Sequence, residues 1–260
     1  MSEWPELTKR SRQKWEENAG FWDDYMGEES NAFHRDIIRP STEKLLKIKK
    51  RDVILDVACG NGNFSRRLAE LGAKVTAIDY SKTMIERAKL RSESIIQYKR
   101  VDATDYEEML KLGIDTYDKA VSNMALMDIS HVEPLIKALS LLIKSNGRFV
   151  FSIVHPCFQV PGARKVTETI DDKGRQITTH SVQLSNYIKM EQYEAIAVNG
   201  QPSPHLMFHR PLSYYVNMFS QYGFVLENLA EPTFQEEATN IFEWIEIPPA
   251  IIFSFRKLSG

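Results

Sequence analysis

Glycines and carboxylates occur in this sequence at points where a predicted strand ends and a turn begins. Gly60 and Gly62 follow an apolar run, and Asp56 lies late in that run. Asp79 and Asp102 end the next two predicted strands. Glycine lets the backbone turn tightly and approach a ligand with no Cβ in the way. Because the carboxyl ends of parallel strands meet at one edge of a sheet, these residues predict a ligand site at that edge.

The acidic residues indicate which ligand suits the turn. A pyrophosphate would be repelled by a carboxylate as close as Asp56, and Ser65 stands where the dinucleotide fingerprint has its third glycine. S-adenosylmethionine carries a sulfonium and an ammonium and has no phosphate, so nearby acids favour it. Asp79 is positioned to accept hydrogen bonds from both ribose hydroxyls. Asp102 can accept one from the adenine amino group, and the Ala103 N–H can reach a ring nitrogen.

Strands and helices alternate along the middle of the chain. Predicted strands lie at 53–58, 75–79, 95–101, 117–123 and 148–154, and predicted helices lie at 64–71, from residue 82 onward and at 135–143. Ser81 is placed to cap the second of these helices, and Ser130 and Glu133 have capping-box spacing before the third. Alternating elements of this kind predict βαβ units and a parallel sheet.

The segments that flank this alternation have a different character. Residues 1–50 read as polar helices with scattered aromatic side chains, and they predict an N-terminal lid over the site. Residues 156–205 are too long for an ordinary connection of about 2–6 residues, so they predict a substrate cap inserted after the fifth strand. A further helix and strands at 224–229 and 251–256 complete one predicted domain over 51–260.

Five segments resemble the ordered signatures of class I, Rossmann-like S-adenosylmethionine-dependent methyltransferases. They are Val53-Ile-Leu-Asp-Val-Ala-Cys-Gly-Asn-Gly-Asn, Ala77-Ile-Asp-Tyr-Ser, Val101-Asp-Ala, Tyr117-Asp-Lys-Ala-Val-Ser-Asn-Met-Ala-Leu and Leu142-Ile-Lys-Ser-Asn-Gly-Arg-Phe-Val-Phe-Ser. The resemblance covers about residues 50–155 closely. It implies an α/β fold with a doubly wound, seven-stranded sheet whose last strand is antiparallel.

The same resemblance implies the residues that hold the cofactor. The positions that match the family's binding residues are Gly60, Gly62, Asp79, Asp102, Asn123 and Met124. Tyr80 and Ala103, each next to one of the acids, complete the predicted set together with Asp56. Asp102 either meets the cofactor or caps the next turn, and Asp56 either touches the cofactor or bonds the loop backbone. The implied methyl donor is S-adenosylmethionine, and the product is S-adenosylhomocysteine.

Methyl transfer is an in-line displacement that mainly needs alignment of the two partners and exclusion of water. A base is required only where the nucleophile begins protonated. His155 follows the fifth strand and is the predicted catalytic base, or else it only lines the pocket. Tyr25, His34 and His209 are predicted to join it in the substrate pocket. Cys157 is interpreted as a buried small residue and not as a nucleophile, because no basic face accompanies it.

Composition limits the classes of partner. The formal net charge is -2 and basic runs are short, which disfavours nucleic acid. Neither an apolar stretch of about 18 residues nor a signal-peptide core occurs, so we expect no membrane partner. Cys59 and Cys157 form no disulfide framework and have no metal-ligand spacing. The expected compartment is therefore the cytoplasm, and no metal is expected.

The acceptor is open at the level of the sequence. The Asn/Asp-Pro-Pro-aromatic tetrad usual in nucleobase N-methyltransferases is absent, because Asn123 is followed by Met124, Ala125 and Leu126. Together with the predicted cap, this favours a small organic acceptor with an oxygen, nitrogen or carbon nucleophile. The alternatives are an RNA or protein methyltransferase that docks its substrate on the insertion, and a non-catalytic S-adenosylmethionine-binding protein. A Rossmann dehydrogenase is the third alternative.

Overall fold

The computed structural model describes residues 3–92, 95–235 and 243–259. Its strands are β1 Val53–Val57, β2 Lys74–Asp79, β3 Gln97–Arg100, β4 Tyr117–Asn123, β5 Ile143–Val154, β6 Arg164–Asp172, β7 Arg175–Gln183, β8 Glu191–Ala195, β9 His205–His209, β10 Phe224–Ala230 and β11 Ala250–Lys257. Its α-helices are α1 Thr8–Met26, α2 Arg39–Leu46, α3 Asn63–Glu70, α4 Lys82–Leu90, α5 Tyr106–Leu110, α6 Glu133–Leu142, α7 Leu212–Gln221 and α8 Glu243–Glu246. Residues 1–2 of the predicted segment 1–50, and residues 93–94, 236–242 and 260 of the predicted domain 51–260, lie outside the described ranges.

Seven strands form one sheet in the order β10-β11-β5-β4-β1-β2-β3. The neighbours from β3 to β5 are parallel, and β11 runs antiparallel to both β5 and β10. The sheet therefore confirms the predicted Rossmann-like fold with an antiparallel last strand. Because β1 to β5 are parallel, their carboxyl ends all lie at one edge, where the predicted ligand site is expected.

Helices cover both faces of the sheet, which explains why the central strands are almost continuously apolar. On one face, Leu139 of α6 and Phe219 of α7 belong to the larger buried cluster. On the other face, Leu68 of α3 and Ile85 of α4 belong to a second cluster. Across the described ranges, no helix combines the length and apolar character needed to cross a membrane.

The start of α6 differs from the sequence prediction. Ser81 caps α4 as predicted, accepting a hydrogen bond from a backbone N–H at 3.1 Å. The capping box predicted from Ser130 and Glu133 is wrong, because the carboxylate of Glu3 accepts the N–H groups of Val132 and Glu133 at 3.0 and 3.1 Å. A carboxylate also carries the charge that a helix N-terminus favours. Ser130 pairs instead with another side-chain hydroxyl from the N-terminal segment.

The N-terminal segment is fastened to the domain by buried ion pairs. Asp23 of α1 is fully buried and pairs with Arg91 at 2.9 Å. Arg210, also fully buried in its side chain, pairs with Glu3 at 2.7 Å. Because a broken buried ion pair leaves an uncompensated charge, these contacts hold α1 in one position against α4 and β9.

The segment predicted as a single cap, 156–205, holds one complete hairpin and the first strand of a second, whose other strand β9 begins where the segment ends. In the first hairpin, β6 pairs with β7 through a two-residue turn at Lys173-Gly174, where both residues have positive φ. Most of its strand residues are exposed, and none is buried. In the second hairpin β8 pairs with β9, and every residue of β9 is buried. Only the second hairpin is therefore part of the folded core.

Candidate active site

A cavity of about 1170 Å³ lies at the carboxyl edge of the parallel strands. One side, which we call the sheet wall, is formed by the strand ends and their loops and includes Asp56, Gly60, Asp79, Asp102, Asn123 and Met124. The opposite side, the lid wall, is formed by α1, β8 and β9 and includes Arg12, Trp15, Trp22, Tyr193, His205 and Met207. The predicted cofactor residues thus share one wall, except Gly62, which does not line the cavity, and the lid wall comes from segments remote in sequence.

The two predicted glycines play different parts in the loop after β1. Gly60 lines the cavity with φ +55, and a Cβ built on it would meet no atom within 4 Å. Gly62 has φ +77, and a Cβ there would lie 2.3 Å from the hydroxyl of Tyr98. Gly60 therefore leaves open space for a ligand, whereas Gly62 allows the loop to pack against β3.

Asp79 and Asp56 are buried carboxylates on the sheet wall. Asp79 accepts the N–H of Gly60 at 3.0 Å and that of Ser81 at 2.9 Å, one on each oxygen. Asp56 accepts the hydroxyl of Ser65 at 2.5 Å. Burial raises the pKa of Asp79 to about 6 and that of Asp56 to about 7. The sequence predicts Asp56 either to touch the cofactor or to bond the loop backbone. Its hydrogen bond is with a side chain of α3 instead of the loop backbone, and its contact with the cofactor stays a prediction.

Asp102 caps its own turn and also meets the lid. One of its oxygens accepts the N–H and the hydroxyl of Thr104, both at 2.9 Å. The other pairs with Arg12 of α1 at 2.6 Å. Tyr80 donates its hydroxyl to the Arg12 carbonyl at 2.8 Å, and burial raises the pKa of Tyr80. The predicted adenine-binding edge, which includes Ala103, is therefore where α1 contacts the sheet wall.

The end of β4 carries an unusual backbone conformation. Met124 has φ +52, a region that residues other than glycine rarely adopt. Its N–H donates to the carbonyl and the hydroxyl of Ser152 at 2.9 and 3.0 Å. Asn123 accepts the hydroxyls of Thr42 and Ser152 at 3.0 and 3.1 Å. Backbone strain of this kind is often held at functional sites, and both predicted residues line the cavity.

Specific hydrogen bonds hold the lid wall in place. Asn61, in the glycine loop, donates to Asp23 of α1 at 3.1 Å. Asn18 of α1 exchanges hydrogen bonds with the backbone of Ser203, at 2.8 and 3.0 Å, and so ties α1 to the loop before β9. Trp15 packs against the His205 ring with a centroid separation of 4.9 Å.

The residues present fit S-adenosylmethionine. The space beside Gly60 is open, which a ligand backed by the glycine loop requires. Each Asp79 oxygen accepts one backbone N–H and retains a lone pair for a ribose hydroxyl. Buried carboxylates and the faces of Trp15 and Trp22 are the surroundings that a sulfonium cation favours.

The predicted substrate-pocket residues separate into two pairs. Tyr25 and His34 line the cavity. His155 and His209 lie outside the set of residues that line it. His155 is buried, with one ring nitrogen 2.8 Å from Glu231 and the other accepting a backbone N–H at 3.2 Å. His209 contacts a backbone carbonyl at 2.7 Å. The catalytic role of His155 stays a prediction.

The sequence reasoning missed two polar residues of the cavity, Asp128 and His205. Asp128 ends a short 3-10 turn after β4, and His205 begins β9. They lie 3.6 Å apart, measured from an Asp128 carboxylate oxygen to the His205 Nε2. A polar residue at the head of the apolar run 206–208 was the available signal for His205. For Asp128, the signal was an acid closely following the fourth signature segment.

The model of a methyltransferase domain family matches residues 48–201, more than half of the chain. The chain belongs to the methyltransferase domain family. The prediction of a class I, S-adenosylmethionine-dependent methyltransferase is thereby confirmed, with S-adenosylmethionine as its cofactor. The matched range spans the sheet wall, the hairpin of β6 and β7, and β8, and it ends before β9.

Relatives and solved structures agree with this assignment. A ubiquinone biosynthesis O-methyltransferase of Vibrio atlanticus is 27% identical over 170 residues, covering 61% of this chain and 70% of that protein. A tRNA (guanine(10)-N2)-dimethyltransferase of Methanocaldococcus jannaschii is 29% identical over 119 residues, covering 42% of this chain and 34% of that protein.

Solved structures with lower identity show the shared fold. A Mesorhizobium loti S-adenosylmethionine-dependent methyltransferase superposes with a TM-score of 0.69 at 24% identity, covering 87% of this chain and 99% of the other. The Burkholderia thailandensis 1,6-didemethyltoxoflavin-N1-methyltransferase, solved with bound 1,6-didemethyltoxoflavin and S-adenosylhomocysteine, gives a TM-score of 0.59 at 14% identity, covering 100% of this chain and 92% of the other.

Proposed function

We propose that this methyltransferase transfers the methyl group of S-adenosylmethionine to a small organic acceptor held between the sheet wall and the lid wall. The observation that carries the proposal is the cavity itself. Its volume of about 1170 Å³ exceeds the roughly 300–1,000 Å³ of sites that hold one drug-sized ligand, so it has room for a cofactor and a small acceptor.

The construction of the lid wall favours a small acceptor over a macromolecule. Helix α1 crosses the site and is bonded to the glycine loop through Asn61 and to the loop before β9 through Asn18. A nucleotide or a protein segment would have to displace these contacts to reach the strand ends. Two of the proteins similar to this chain, the ubiquinone biosynthesis O-methyltransferase and the toxoflavin-type N1-methyltransferase, bear names of small-molecule enzymes.

Within this proposal, the sheet wall holds the cofactor. Asp79 binds the ribose hydroxyls, and Gly60 lets the amino-acid portion approach the backbone. When bound, S-adenosylmethionine supplies a methyl group on a cationic sulfur. The proposed cofactor set is Asp56, Gly60, Gly62, Asp79, Tyr80, Asp102, Ala103, Asn123 and Met124. The chain's own contribution to rate is alignment of the acceptor and exclusion of water by the lid wall.

Turnover of methyl-labelled S-adenosylmethionine tests the proposal. A cell extract is separated into small metabolites, RNA and protein, and each fraction is incubated with the labelled cofactor and the full chain. We expect label in the small-metabolite fraction. The RNA methyltransferase alternative has some support in the tRNA dimethyltransferase relative, and label confined to RNA or to protein would overturn a small acceptor.

Calorimetry separates the two non-methyltransferase alternatives. We expect S-adenosylmethionine and S-adenosylhomocysteine to bind in the micromolar range, about -8 kcal/mol. Binding without turnover on any fraction would favour a non-catalytic binding protein. Tight binding of a nicotinamide dinucleotide in place of S-adenosylmethionine would favour a dehydrogenase.

A cytoplasmic location is also proposed, resting on two free cysteines, Cys59 and Cys157.

A further inference from the structure

Asp128 and His205 form a polar pair in an otherwise largely apolar part of the cavity. Both residues are more than nine-tenths buried, and both line the cavity. The side chains of Trp15, Tyr193 and Met207 line the cavity beside them. The Oδ1 atom of Asp128 is buried and accepts no hydrogen bond from any residue that the structure describes. A buried carboxylate oxygen left in this state is costly unless a ligand group satisfies it.

The hydrogen bonds around His205 determine which of its nitrogens carries the proton. Gln201 accepts the N–H of Ala197 through Oε1, so the atom that faces the His205 ring is its amide nitrogen. That nitrogen donates to the Nδ1 of His205 at 3.0 Å, so Nδ1 holds a lone pair. The neutral ring therefore carries its proton on Nε2, the nitrogen directed at Asp128.

Burial keeps this histidine neutral and makes the carboxylate a stronger base. Desolvation lowers the pKa of His205 to about 4 and raises the pKa of Asp128 well above its usual range. The other titratable and charged groups on the elements packed around the pair include Glu3, Arg12, Glu16, Tyr80, Asp102, Tyr193, Arg210 and Tyr215. Of these groups, the cations Arg12 and Arg210 are already paired, with Asp102 at 2.6 Å and with Glu3 at 2.7 Å.

A fixed N–H donor and a free carboxylate oxygen 3.6 Å apart select the chemistry of their ligand. A hydroxyl can accept from His205, donate to Asp128 and still keep a second lone pair for attack on a methyl group. A neutral amine has a single lone pair, which the His205 N–H would occupy. Building on the proposed function, we infer that the acceptor is a hydroxyl compound with an apolar or aromatic skeleton, bound by His205 and deprotonated by Asp128.

The transfer step balances with these two residues and the methyl donor alone. A lone pair of the hydroxyl oxygen forms the new O–C bond to the methyl carbon. The C–S bond breaks, and its electron pair remains on sulfur, which becomes neutral. The hydroxyl proton passes to the Asp128 carboxylate, so the positive charge of the sulfonium and the negative charge of Asp128 disappear together. His205 keeps its proton throughout and positions the oxygen.

The test uses S-adenosylmethionine with a ¹³C-labelled methyl group and the small-metabolite fraction of a cell extract as acceptor. The carbon chemical shift of the transferred methyl separates methyl ethers from N-methyl products. We expect a methyl ether from the wild-type chain. We expect Asp128→Asn, which keeps the shape and removes the base, to lower the maximal rate about 10²–10⁴-fold and to flatten the acidic limb of the pH–rate profile.

His205→Gln keeps an N–H donor, whereas His205→Phe keeps only the ring. We expect His205→Phe to raise the concentration of the metabolite fraction needed for half the maximal rate about tenfold, with a smaller effect for His205→Gln. Asp115→Asn, an exposed carboxylate in the loop before β4, is the matched control and should leave the rate unchanged. Calorimetry with S-adenosylhomocysteine should give wild-type affinity for every variant, which shows that each is folded.

The outcomes separate this inference from the function on which it rests. If the wild-type chain fails to label the metabolite fraction, the proposed small-molecule function is overturned. If it labels that fraction with an N-methyl group, or if folded Asp128→Asn keeps the wild-type rate and pH profile, this inference alone is overturned. A methyl ether product with the expected loss in Asp128→Asn supports both.

Discussion

The two walls of the cavity are built in different ways. The sheet wall comes from five strand ends; Asp79 is the last residue of its strand, and Gly60 and Asp102 lie in loops that directly follow theirs. The lid wall comes from α1, β8 and β9, which are joined across the chain by hydrogen bonds such as that between Asn18 and Ser203. The difference teaches that cofactor binding depends on local loop chemistry, whereas the acceptor side depends on how remote segments dock.

The strongest way to test this division is to damage the sheet wall alone. Asp79→Ala should weaken S-adenosylmethionine binding by about 2–4 kcal/mol, because buried ribose hydroxyls lose charge-assisted partners. Calorimetry measures the change, with Asp115→Ala as the matched control. Unchanged affinity in a folded variant would show that Asp79 does not hold the ribose.

In the cofactor-free chain, burial of the Asp56 carboxylate should make the free energy of unfolding depend on pH. Its folded pKa of about 7 lies above the usual value of 3.8, so the stability it contributes is present below about pH 4 and is lost as the pH rises through 7. Asp56→Asn removes this loss, and it should be more stable than wild type by roughly 2–3 kcal/mol at pH 8 and nearly equal at pH 4. Urea unfolding at the two pH values measures this difference. A pH-independent difference would contradict the raised pKa.

Asn18→Ala damages the lid wall alone. Asn18 is fully buried, and its loss leaves the Ser203 N–H without its partner, while the Ser203 carbonyl keeps only the hydrogen bond from Gln201. We expect a loss of about 1–3 kcal/mol in unfolding free energy and a lower methyl-transfer rate, with cofactor affinity nearly unchanged. If cofactor affinity falls as much as the transfer rate, the two walls are not energetically separate.

Substitution of His155 tests whether a residue outside the two walls contributes to the rate of methyl transfer. A catalytic base at this position predicts a loss of about 10²–10⁴-fold in His155→Ala. Because both ring nitrogens already have partners and the residue lies off the cavity wall, we expect a loss below tenfold with an unaltered pH profile. A larger loss that also flattens the acidic limb would establish His155 as the base and displace Asp128.

The smallest effect is expected from the exposed hairpin of β6 and β7. Its ends come together where Ser185 donates its hydroxyl to the Gly162 carbonyl at 3.1 Å, so a short Gly/Ser bridge can replace 164–183. We expect cofactor affinity within error of wild type and a change in the melting temperature of only about 2–4 °C. A large loss of methyl transfer would show that this hairpin, like β8 and β9, forms part of the acceptor side.

Short-range patterns in the sequence determined the sheet wall. Apolar runs alternate with amphipathic helices, and this order specifies a parallel sheet whose carboxyl ends share one edge. The glycine turn and the acid at the end of β2 are local signals, since Gly60 and Asp79 act within a few residues of their own strands. Ser81 as a helix cap belongs to the same class, because its partner lies three residues along the chain.

The tertiary structure alone decided the features that join distant residues. Glu3 replaces the predicted cap of α6 from 130 residues away, a contact that no local pattern encodes. Arg12 pairs with Asp102 only because α1 crosses the strand ends. Asp128 and His205 likewise meet through packing of remote elements, because β9 is buried beside the turn after β4. Sequence spacing predicts side chains that share a strand, a turn or a helix face, whereas contacts between elements depend on packing that only the folded chain defines.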